Sequence, residues 1–170
     1  MNNYKYFDNV KKNGYFTESP CQFCGTTKNC LDGVFFESSD DISSICLECF
    51  DKKKIHVSIP EYIKNRIKNN RDQKVNELQF CPPVPWIQNN DWPVCCDDFM
   101  VFIGEWEQEE FCSHSTDGDG LSLLKELLAD ELKNIVESYD ALWADLGYET
   151  AAFVFMCPNC GKKVVICQDY

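Results

Sequence analysis

The chain has 170 residues, 44% of them hydrophobic and 14% aromatic, enough for one domain, or for one domain with a small metal-bound lobe. Its net charge of −12 is uneven: residues 1–74 carry twelve Lys/Arg against ten Asp/Glu, residues 75–170 four against eighteen. Such a field disfavours nucleic acid and favours basic partners, and no stretch approaches the roughly 18 apolar residues of a membrane span.

The opening residues, Met-Asn-Asn-Tyr-Lys-Tyr-Phe-Asp, contain no apolar signal-like stretch. A cytoplasmic setting is therefore expected, where thiols stay reduced and twelve cysteines point to metal rather than disulfides. Residues 1–20 read as an irregular or strand-like aromatic arm. A cysteine-rich module follows, with a strand expected over Leu31–Glu37, entered through a turn at Asp32-Gly33. Ser58-Ile-Pro-Glu61 matches a capping box that should open a helix running to about Asn69. Half of the positive charges fall between Lys52 and Lys74, which keeps nucleic-acid contact open as a reading of that segment.

Phe80-Cys-Pro-Pro-Val-Pro-Trp86 must be extended, because proline removes donors and biases its predecessor away from helix. Phe99–Ile103 is a continuous apolar run, expected as a buried strand. Glu107–Gly120 reads as a polar loop. The clearest helix is next: Leu121, Leu124, Leu128, Leu132, Ile135 and Tyr139 recur every three or four residues, with Asp117 or Asp119 placed to cap its start. Ala151–Met156 and Val164–Ile166 flank a turn at Gly161 and read as a hairpin. The expected fold is α+β, a small antiparallel sheet with one long helix and two cysteine-knuckle zinc sites. It divides into an arm and Cys₄ module over residues 1–56 and an α+β core with the second knuckle over residues 57–170.

Cys21-x-x-Cys24-Gly25 and Cys46-x-x-Cys49 stand 21 residues apart. Two-residue spacing lets both sulfurs of a pair reach one tetrahedral ion at about 2.3 Å, and two pairs close a Cys₄ site. Gly25 permits the tight turn behind the second ligand. Cys157-Pro-Asn-Cys160-Gly161 is a second such knuckle without a matching Cys-x-x-Cys. Its nearest complements are Cys95 and Cys96, with Cys81, Cys112, His114 and Cys167 in reserve, while Cys30 reads as packing. Two zinc ions are the expected cofactors.

Catalytic zinc keeps an open position and a nearby base. No H-E-x-x-H occurs, and His114-Ser-Thr and Met156-Cys157 miss the zinc deaminase pattern. Cys112 and His114 lie two apart with nothing to orient the imidazole. Asp117-Gly-Asp119-Gly120 lacks the later ligands of a calcium loop. A non-enzymatic protein is expected, with a zinc-ribbon regulator or a metal- or thiol-dependent enzyme as alternatives.

The order of motifs resembles the CbrC-like family of bacterial proteins, linked by name to colicin tolerance. Four stretches carry the resemblance: the aromatic arm into Cys21-Gln-Phe-Cys24-Gly25; Gly33-Val-Phe-Phe with Cys46-Leu-Glu-Cys49; Trp92-Pro-Val-Cys95-Cys96-Asp97-Asp98 with Phe102-Ile-Gly-Glu105; and Leu146–Cys157 closing with Cys160-Gly-Lys162. In the third stretch the family pattern looks like His-Cys-Gly-Asp. Cys95 then stands where a histidine would, another zinc ligand, and Asp97 replaces a glycine of the turn. The resemblance implies toxin tolerance and supplies no reaction. An acidic protein also suits a basic partner such as a nuclease toxin, and Glu105, Glu107, Glu109, Glu110, Asp130 and Glu137 are the expected docking residues.

Overall fold

The computed structural model describes residues 3–36 and 41–170. After helix α1 (Val10–Asn13), strands β1 (Phe16–Thr17), β2 (Cys30–Asp32) and β3 (Ser44–Cys46) form an antiparallel sheet in that order, with Cys30 opposite Cys46 and Leu31 opposite Ile45. The strand expected over Leu31–Glu37 is cut short. The Asp32 carboxylate accepts the Val34 amide at 3.1 Å and starts a 3₁₀ turn over Gly33–Phe35, and Glu37 lies outside the described residues.

Helix α2 (Leu47–Asp51) begins directly where β3 ends. The helix expected to open at the Ser58 capping box and run to about Asn69 is one turn, α3 (Glu61–Lys64), and Pro60 occupies its N-cap without a side-chain bond, so no capping box forms. The amides of Lys68 and Asn69 turn away to donate to Asp97. Helix α4 (Arg71–Gln79) had no apolar signature because Leu78 is its one fully buried residue. The proline stretch is neither helix nor strand and is not extended throughout: Phe80 ends α4 at φ −100° and ψ 16°, the Trp86 amide turns back to the Val84 carbonyl at 2.8 Å, and Trp86 stacks on Phe155 at 5.8 Å between ring centres.

The Phe99–Ile103 run is shared between β5 (Asp98–Phe99), paired in a hairpin with β4 (Val94–Cys95), and β6 (Val101–Glu105). The supposed loop after it contains α5 (Gln108–His114), opened by a reciprocal capping box between Glu107 and Glu110. The long helix divides into α6 (Gly120–Leu127), α7 (Asp130–Lys133) and α8 (Tyr139–Asp145). Asp119 caps α6, as its position suggested, by accepting the Ser122 amide at 3.0 Å.

The strands β7 (Thr150–Met156) and β8 (Lys163–Asp169) form the expected hairpin and, with β6, a separate three-stranded antiparallel sheet in the order β6-β7-β8. β7 is buried on both faces, which explains its unbroken apolar run. Phe153 and Phe155 face one core with Tyr6, Phe102 and Trp92, while Ala152 and Val154 face another with Trp106, Phe111 and Leu124. The first core also takes in Phe50, Leu31 and Ile45, so it crosses residue 56. The arm joins the sheet edge: Phe102 donates its amide to the Tyr6 carbonyl and Asp8 donates back to Phe102, both at 2.9 Å. The described residues contain no helix long and apolar enough to cross a membrane.

Candidate metal centres

The chain from Cys21 to Thr26 folds back on itself. The Gly25 amide donates to the Cys21 carbonyl at 2.8 Å, and the Cys21 amide to the Thr26 carbonyl at 2.7 Å. Gly25 lies at φ 74°, a conformation that a Cβ disfavours. This turns the thiols of Cys21 and Cys24 toward one point. Cys46, the last residue of β3, and Cys49, one turn into α2, supply the opposite pair. All four sulfurs lie within 4.8 Å of one another, with Cys24 and Cys46 at 3.6 Å. Cys30 is buried outside the quartet, and its thiol donates to the Thr26 carbonyl at 3.2 Å. It braces the knuckle from behind, in keeping with a packing role.

The second knuckle repeats the first bond for bond. Gly161, again at φ 74°, donates to the Cys157 carbonyl at 3.0 Å, and Cys157 donates to Lys162 at 2.8 Å. The β4–β5 hairpin brings up Cys95 and Cys96 together. Its two loop residues, Cys96 and Asp97, both have positive φ, 54° and 55°, as a tight hairpin turn of matching twist requires. Asp97 therefore fills the second turn position, and its carboxylate accepts the Lys68 amide at 2.8 Å and the Asn69 amide at 3.0 Å. Cys95 lies 3.8 Å from Cys96 and 3.6 Å from Cys160 between sulfurs, and Cys157 completes a quartet within 4.8 Å.

Four sulfurs at about 2.3 Å from one ion in a tetrahedron are about 3.8 Å apart, close to these separations, whereas a disulfide needs about 2.05 Å. All twelve cysteines are free thiols. Each quartet can therefore hold a metal ion without rebuilding, and four protein donors leave no position for a reacting water. The backbone prepares the charge. Burial pushes the Cys21 thiol up, but amide bonds from Cys46, Phe23 and Cys24 outweigh it and bring it to about 6. The Lys162 amide and the neighbouring thiols bring Cys160 down to about 7. Burial and then the neighbouring thiols push Cys95 to about 12, so a cation is needed to ionise the set.

The reserve residues stay apart from both quartets. Burial lifts Cys81 to about 12, and its thiol donates to the Glu77 carbonyl at 3.4 Å. Burial, aided by Asp169, lifts Cys167 likewise to about 12. Cys112 is exposed on α5, and the His114 ring stacks on Trp106 at 4.2 Å. Asp117 accepts the Ser115 hydroxyl and the Asp119 amide, closing a turn ahead of α6. Among the expected docking residues, Glu107, Glu109, Asp130 and Glu137 are exposed. Glu105 is half-buried and accepts the Tyr15 hydroxyl, and Glu110 accepts the Glu107 amide at 3.0 Å.

The sequence pattern of the Uncharacterised protein family (UPF0167) matches residues 1–169. No curated protein and no solved structure matches the chain.

Proposed function

The chain belongs to the uncharacterised protein family UPF0167, and from that premise we propose that it is a non-enzymatic protein held in shape by two zinc ions, which binds a basic protein partner through its acidic surface. The observation that carries this reading is the closure of both quartets. Each gathers four cysteine sulfurs, and among the described residues neither draws in a histidine or carboxylate. Tetrahedral sulfur sets suit zinc or iron, and zinc is the ion of closed structural sites. Elemental analysis of protein purified without added metal should find about two zinc per chain. Iron in their place would sink the zinc assignment.

With both sites closed, function falls to the surface. Exposed Glu107, Glu109, Asp130 and Glu137 sit in the half of the chain with four Lys/Arg against eighteen Asp/Glu, a field that steers a cationic protein into contact. The resemblance to the CbrC-like family makes a basic nuclease toxin the first partner to try. Pull-down from the native cell should recover a basic protein whose binding weakens as salt rises. Recovery of nucleic acid instead, or binding indifferent to salt, would reject the reading.

A further inference from the structure

A groove of about 710 Å³ opens beside the second quartet, a size at which pockets enclose a small organic ligand. Its apolar lining is aliphatic: Pro93, Val94, Leu128, Leu132, Val164 and Ile166 contribute, and no aromatic ring does. Arg66, Lys68, Lys133, Lys162 and Lys163 also line it.

This placement runs against the charge of the molecule. Residues 75–170 contain four Lys/Arg, and three of those four line this one groove. Lys133 is engaged with Asp130 at 3.3 Å. Among the described residues, Arg66, Lys68, Lys162 and Lys163 form no ion pair. Arg66 spends one N–H on the Trp92 carbonyl at 3.0 Å. The lining acids are partly committed too: Asp91 accepts from Gln168 at 3.2 Å, and Asp130 holds Lys133. Asp91, Glu126 and Glu131 remain without an ion pair against four cations without one.

We propose that the groove binds a small soluble amphiphilic anion, a phosphate or carboxylate head on an aliphatic body. Arg66, Lys68, Lys162 and Lys163 hold the head by charge-assisted hydrogen bonds, and the aliphatic lining covers the body. Without aromatic side chains the groove gives a nucleobase no stacking platform. Of the exposed acidic docking residues the groove shares Asp130, which is already paired with Lys133, and not Glu107, Glu109 or Glu137, so either site can fail alone.

The test is calorimetric titration of the zinc-loaded full chain with octyl phosphate below its micelle concentration. Saturable one-to-one binding is expected, about tenfold or more tighter than inorganic phosphate because the alkyl chain is covered. Lys162→Gln with Lys163→Gln should weaken it about tenfold or more, and Lys125→Gln, outside the groove, should leave it unchanged. Because the first pair adjoins the knuckle, Arg66→Gln with Lys68→Gln is the second variant, and weaker binding at unchanged zinc content supports the proposal. It is overturned by absence of saturable binding, by equal affinity for inorganic phosphate, or by affinity that survives both double variants. Loss of binding that always accompanies loss of zinc overturns it as well, since the cations would then serve the metal. Binding to anionic vesicles without binding to the soluble amphiphile does the same.

Discussion

Asp97 shows how one residue ties the second quartet to the body of the protein. It sits at φ 55°, a position that Asn, Asp and Gly tolerate best, and its carboxylate gathers the two amides that end the α3 segment. Those bonds, with Lys68 first, hold its carboxyl down at about 2. A carboxylate depressed in the folded state stabilises fully above its unfolded value of about 3.9, and that contribution disappears as pH falls toward 2. Asp97→Asn keeps a turn former and removes the charge. Its denaturation midpoint should therefore change less than that of the wild type between about pH 5 and about pH 3, and identical slopes would show that the charge contributes nothing. The cysteines separate by role in the same way. On the proposed two-zinc reading, Cys49→Ala should cut bound zinc from two to one and unfold the first module, because structural zinc supplies on the order of 10 kcal/mol of folding free energy. Cys30→Ala, at an equally buried sulfur outside the quartet, should retain both ions, as elemental analysis would reveal.

The expected long helix breaks for a reason that belongs to its neighbours. Leu128 and Ala129 adopt extended geometry, at ψ 136° and 140°, and Ala129 donates its amide to Val165 of β8 at 2.9 Å. The sheet edge takes a bond that a continuing helix would have kept. The apolar stripe still works on its first half, with Leu124 fully buried and Leu128 at 2% exposure, but Ile135 is 70% exposed. Leu124→Ala should accordingly cost about 2–5 kcal/mol in chemical denaturation, whereas Ile135→Ala should stay within about 0.5 kcal/mol. Comparable losses at both positions would mean that the helix continues and buries Ile135. The same competition shortens β2, where Asp32 takes the Val34 amide, and α3, where Asp97 takes two amides from the following turn.

Across the whole molecule the two quartets differ in access. Cys21, Cys46 and Cys49 are buried around the first, whereas Cys96 and Cys160 are exposed at the second. A chelator should therefore remove metal in two phases, the second quartet first, and near-ultraviolet circular dichroism should hold through the first phase and collapse in the second. Simultaneous release would mean that the two sites unfold together. Reloading should release protons, and affinity should fall as pH falls, because protons compete for every thiolate.

Sequence alone located the first quartet, both knuckles and the β7–β8 hairpin, since Cys-x-x-Cys-Gly and continuous apolar runs are local codes that need no partner to be read. Cys95 and Cys96 were legible as the nearest complements of the second knuckle, a reading the resemblance only strengthened, yet their meeting with Cys157 and Cys160 depends on a hairpin 62 residues away in the chain. The polar α4, the helix inside the supposed loop at Gln108–His114 and the break at Leu128 were not legible. Helices this short draw little signal from periodicity, and their limits are set by which distant group competes for a backbone amide. Metal chemistry was therefore written in residue type and spacing. The groove, the grouping of its cations and the unequal exposure of the two sites arose from packing, because burial and proximity are properties of the assembled chain.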